Sequence, residues 1–89
     1  MYLLDFYQQK GRKVRSVALE QSVTVGRSRE SDVTLADRSV SRLHATFIVD
    51  SVEGRPRVVV RDEGSTNGIL VNARTIRKEA APVEPGDRI

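Results

Sequence analysis

Three short stretches of this chain collect the residue types that can hold a multiply charged anion: Gly26-Arg27-Ser28, Ser41-Arg42-Leu43-His44 and Gly64-Ser65-Thr66-Asn67-Gly68. Phosphate recognition calls for charge-assisted donors converging on three oxygens, and arginine forks, hydroxyls and backbone N–H groups supply them best. The glycines at 26, 64 and 68 allow tight turns or a close approach of backbone to ligand. Nucleophilic catalysis is the competing chemistry, because Ser41, Asp62 and His44, the chain's only histidine, name the members of a hydrolase triad. Against it, the Gly-x-Ser-x-Gly elbow is missing, and a serine and a histidine three apart at a strand entrance need not meet as nucleophile and base. The expectation is a binding protein, not an enzyme, and one without a cofactor.

Composition narrows the ligand. The chain has 89 residues and a net charge of +3, and 12 of its 15 basic residues are arginine, whose planar fork suits phosphate and carboxylate. A basic domain of this kind also admits nucleic acid, bound through counterion release, as the alternative function. The two phenylalanines and two tyrosines are not interleaved with the arginines, as stacking platforms for single strands would be. With no cysteine there is neither a disulfide framework nor a thiolate metal site, and a single histidine is a poor start for zinc, so no metal is expected. The N-terminal MYLLDFYQQK reaches polar residues too early for a signal peptide, and no run of about 18 apolar residues occurs. No membrane association is expected, and a cytoplasmic location fits.

The elements that must position these loops are strands. Period-two alternation recurs with punctuation at short intervals: Tyr2 to Tyr7, Val14 to Leu19, Val23 to Val25, Asp32 to Leu35, His44 to Val49, Arg57 to Arg61, Ile69 to Val71, and a short piece around Thr75-Ile76. Turns are expected at Lys10-Gly11-Arg12, Glu53-Gly54 and Asn72-Ala73-Arg74. No dozen-residue window carries a helical apolar stripe. The fold expected is all-β, a sandwich of two mostly antiparallel sheets in one domain spanning 1–89.

Taken in order, VGR at 25–27, SRLH at 41–44, STNG at 65–68 followed by Val71-Asn72, and Gly86-Asp87-Arg88-Ile89 resemble the forkhead-associated (FHA) domain over almost the whole chain. The resemblance implies a sandwich whose loops at one end bind phosphothreonine in a partner protein, as a docking module in Ser/Thr-kinase-linked signalling; the arginine-heavy composition points to a bacterial source. It implies that Arg27 pairs with the phosphate, that Ser41 donates its hydroxyl to a phosphate oxygen, and that Arg42 is a second cation. Thr66 would hold the phosphothreonine by side chain or backbone, and Asn67 would hydrogen-bond the peptide backbone. Gly26 and Gly68 would be scaffold, Ser65 would stabilise its own loop, and His44 would brace the loops from behind. Each role has a plainer alternative: Arg27 an exposed strand-end arginine, Ser41 a cap for its own loop, Arg42 a solvated side chain.

Ligand preference beyond the phosphate falls to Ser28–Ser31, Asp37–Val40 and Asn72–Thr75, with Arg29, Arg38 and Arg74 as residues that would favour an acid. The family pattern continues past Gly-Asp-x-Ile into a closing hairpin that pairs with the first strand. The last strands are therefore expected to be missing from the chain, leaving Tyr2 to Tyr7 unpartnered. A fragment of a longer protein, monomeric, is the preferred reading, with a strand-swapped or edge-paired dimer as the alternative.

Overall fold

In a computed structural model, which describes residues 2–7 and 11–89, the described residues form nine strands. They are β1 (Tyr2–Tyr7), β2 (Lys13–Leu19), β3 (Val23–Gly26), β4 (Val33–Thr34), β5 (Ala45–Val52), β6 (Arg55–Asp62), β7 (Ile69–Val71), β8 (Arg74–Ile76) and β9 (Ala80–Val83). The expected turn at Lys10 lies outside the described residues; its neighbour Gly11 has φ +89°.

A five-stranded sheet of order β4-β3-β5-β6-β9 forms one layer, and two ribbons, β1-β2 and β7-β8, supply the other. All pairings are antiparallel except β3 with β4. Strand alternation sends one side chain in two to the interior, and the register lines these up in rows across the large sheet. One row reads Val23, Phe47, Val60, Ala81; the next reads Val33, Val25, Ala45, Asp62. All of the apolar members are buried. The ribbons cover these rows with Leu19, Ile69, Val71 and Ile76, and with the half-buried Tyr2, Leu4 and Phe6.

Two expectations are corrected. Tyr2 to Tyr7 does not lack a partner, because β2 folds back along it from Tyr2 opposite Leu19 to Tyr7 opposite Lys13. Its alternation puts Leu4 opposite Val17 on the inward face. Along the far edge of β1 an open groove runs towards β7, flanked by Leu4, Phe6, Ile69 and Leu70. The second correction is β9, which the sequence pattern does not announce. Its Pro82 lacks an N–H, which is tolerable because β9 is the edge of the sheet and Ala81 still fills the inward position.

Candidate functional site

The end of β3 and the segment entering β5 are zipped together by backbone. Val25 O accepts from His44 N, Arg27 N donates to Ser41 O at 2.9 Å, and Ser28 N donates to Arg42 O at 3.0 Å. This ladder explains Gly26, where a Cβ would stand 2.1 Å from Arg42 O and 2.8 Å from Ser31 Oγ. Only glycine lets the two segments run this close. The Arg27 side chain continues the same seam: its Nε donates to Val40 O at 3.1 Å, and the two terminal nitrogens of this exposed residue have no partner among the described residues.

The third loop, between β6 and β7, is tied to the second by the backbone bond from Glu63 N to His44 O and by three contacts that use side chains. Thr66 N donates to Ser41 Oγ at 3.0 Å, and Asn67 Nδ2 donates to Ser39 O at 3.2 Å. His44 makes the third: its Nδ1 accepts from Ser41 N at 2.9 Å and its Nε2 lies 3.2 Å from Gly68 O. An imidazole that accepts at Nδ1 must carry its proton on Nε2, so the neutral ring donates to Gly68 O and spans both loops. Neither nitrogen is left to take a proton from Ser41. Gly68 itself has φ +76°, and a Cβ there would meet Ile76 O at 2.9 Å.

Beneath this loop lies Asp62, whose role the sequence reading missed. It occupies an inward row position beside Ala45 and is 4% exposed, so its carboxylate must be satisfied inside the protein. Oδ1 accepts the hydroxyl and the N–H of Ser65, and Oδ2 accepts Lys78 N at 2.7 Å. Burial pushes this carboxyl up, but the Lys78, Ser65 and Gly64 donors together hold it below its ordinary value. Ser65, itself buried, is thereby spent on the loop. The available signal was the inward alternation of Val58, Val60 and Asp62, which places an acid where a hydrophobic residue is due. Its neighbour Glu63 is held low chiefly by the Arg61 fork and also by the Thr46 hydroxyl.

At one pole the structure thus brings together Arg27, Ser41, Thr66 and Asn67, with Arg42 following Ser41 on the same strand entrance. The Ser41 hydroxyl accepts from Thr66 N, and its own proton has no acceptor among the described residues. With the Thr66 N–H engaged by Ser41 and the Thr66 O by Arg77, the side-chain hydroxyl of this exposed residue is the part left for a ligand. Arg42 is anchored through its carbonyl, to Ser28 N and Ser31 Oγ, and its side chain is exposed. Arg74 does not join this pole. Ile69 pairs with Ile76 beside Gly68, whereas Val71 pairs with Arg74 at the other end of the ribbon, where Arg74 faces Glu79 at 3.6 Å. The hairpin reversal brings Arg77 to the pole in its place.

Residues 23–89 match the FHA domain family. An oxoglutarate dehydrogenase inhibitor of Corynebacterium glutamicum is 41% identical over 70 residues, which cover 79% of this chain and 45% of that protein. The chain therefore spans less than half the length of this curated relative. The crystal structure of the MEK1 FHA domain superposes with a TM-score of 0.78 at 25% identity, covering 96% of this chain and 74% of that one. The yeast Dun1 FHA domain, solved in complex with a doubly phosphorylated peptide, gives a TM-score of 0.67 at 31% identity, with 97% and 62% covered. Family match, strand order and the three loops joined at one pole agree, and the chain belongs to the FHA domain family.

Proposed function

We propose that this chain is a docking module for phosphothreonine in a partner protein, the product of a Ser/Thr kinase, with Arg27, Ser41 and Thr66 holding the phosphate. The observation that carries this reading is how the polar groups are divided at the pole. Backbone N–H groups, the imidazole and one edge of the Arg27 fork are spent on joining the loops. The Arg27 terminal nitrogens and the hydroxyls of Ser41 and Thr66 are left as donors on adjoining residues. A phosphothreonine carries a charge of roughly −1.5 to −2 and three acceptor oxygens, which this set of donors matches. Asn67, fixed by Ser39, keeps its amide oxygen and one N–H for the peptide backbone beside it. Arg42 adds positive charge at the rim. The complex of the similar Dun1 domain with a phosphorylated peptide supports the same reading.

Calorimetry with paired phosphorylated and plain threonine peptides tests it. Charge-assisted hydrogen bonds contribute about 1.5–3 kcal/mol each, so loss of the Arg27 fork in Arg27→Ala should cost at least roughly 100-fold in affinity. The plain peptide should not bind measurably. Equal binding of the two peptides would remove the proposal.

A further inference from the structure

The pole carries one more cation that the phosphate site does not use. Arg77 follows β8, and the pairing of Ile76 with Ile69 sets it beside Gly68, at the foot of the Ser65–Gly68 loop. Its Nη1 donates to Thr66 O at 3.4 Å. Its stem lies against the bare face of Gly68, with Cγ 3.0 Å from where a Cβ would be. The side chain is therefore held along the site loop, and it remains exposed.

No acid answers its charge. The carboxylates near it in the chain are all engaged elsewhere. Glu79 faces Arg74, Glu63 is held by the Arg61 fork and Thr46, and Asp62 is buried under Ser65 and Lys78 N. Among the described residues Arg77 takes part in no salt bridge, unlike Arg57, Arg61 and Arg74. A guanidinium offers five N–H donors, and the contact with Thr66 O uses one. What remains is a forked cation beside Thr66, aimed by a backbone carbonyl and matched to no carboxylate among the described residues.

We infer that Arg77 is a specificity-determining residue: it binds a second anionic group of the ligand, a carboxylate or a second phosphate, next to the phosphothreonine. This rests on the docking function proposed above. Arg27 then reads whether threonine is phosphorylated, and Arg77 reads what stands beside it in the partner.

The test uses the intact chain and a singly phosphorylated parent peptide of otherwise neutral sequence. An aspartate is walked through each position from four before to four after the phosphothreonine, and a second series carries phosphothreonine at the same positions. At one position or two adjacent ones, the aspartate should raise affinity about three- to tenfold, and a second phosphate there should raise it further. Arg77→Met keeps the apolar stem against Gly68 and removes the charge. It should bind the parent peptide within twofold of the unaltered protein and lose the gain, while Arg77→Lys retains part of it. A flat walk, or a gain that survives Arg77→Met, overturns the inference. A gain restricted to the second phosphate and lost in Arg77→Met supports it and identifies the source as phosphate. Failure of the docking function would look different, because the parent peptide itself would then bind no better than its plain form.

Discussion

Under the proposed function, arginine at position 27 does two jobs that lysine cannot combine. Its Nε is bonded to Val40 O, so the fork is oriented before any ligand arrives, and little rotamer freedom remains to be lost on binding. A lysine in the same place has a single ammonium, which either turns back to Val40 or reaches the phosphate. Arg27→Lys is expected to keep the fold and lose roughly 30-fold or more in affinity for a phosphothreonine peptide, as a bidentate contact becomes a point charge. Retention of near-native affinity in calorimetry would show that charge alone is what the ligand reads. His44 belongs to the same scale but acts on the protein. Replacement by alanine leaves Ser41 N and Gly68 O without their partner in a half-buried place. The expected loss is about 1–3 kcal/mol of stability, read as a lower midpoint in denaturant. Binding should weaken through the loosened loops, with no effect on which peptide is preferred.

At the scale of elements, the contact between the β3 end and the β5 entrance is the junction on which the pole depends. Gly26→Ala drives a methyl into Arg42 O, and relief requires parting the bonds from Arg27 to Ser41 and from Ser28 to Arg42. Overpacking against backbone costs about 1–3 kcal/mol or more, and here it also separates the phosphate donors. Gly64→Ala is the contrast: φ +82° with nothing within 4 Å of the added carbon should cost about 1 kcal/mol and leave the three loops joined. Thermal unfolding and peptide binding measured on both variants distinguish crowding from backbone strain. The same scale explains what could be read before any coordinates. Seven of the strands announce themselves by alternation that ends at glycine or a polar corner, because each has one wet face and one dry one. The Val33–Thr34 strand was also expected, though at twice its length. What stayed hidden was set by partners distant in the chain. β9 carries Pro82 between short polar flanks and is a strand only because β6 offers it an edge. Asp62 looks like a surface acid until the register puts it beside Ala45. Arg74 and Arg77 could be ranked only once the β7-β8 hairpin showed which end of the ribbon meets Gly68. The three loops that meet at the pole were legible because their turn and donor chemistry is local. The carboxylate beneath them was not, since its meaning lies in the register across the sheet.

For the molecule as a whole, pH should separate binding from folding. The carboxylates that organise the loops are held low: Asp62 against its burial by the Lys78, Ser65 and Gly64 donors, Asp37 by the Ser39 hydroxyl and N–H, and Asp87 by Glu84 N and Asn72. A carboxyl whose folded-state pKa is depressed binds fewer protons than in the unfolded chain. Its stabilisation is therefore complete above the unfolded value of about 4 and drains away as pH falls through the lower folded one. Stability should be flat from neutrality down to about pH 5 and fall only in stronger acid, with Asp62 the main contributor because it is buried. The ligand titrates earlier. The second ionisation of a phosphate ester lies near pH 6, so below that the guest carries about one charge instead of two and the donors of Arg27 lose part of their match. Affinity for a phosphothreonine peptide should thus drop between about pH 7 and pH 5 while the thermal midpoint of the free protein stays constant. Asp62→Asn should leave that binding curve in place and remove much of the acid-dependent loss of stability, from a lower starting value. If the thermal midpoint instead fell together with affinity over the same interval, the cause would lie in the protein.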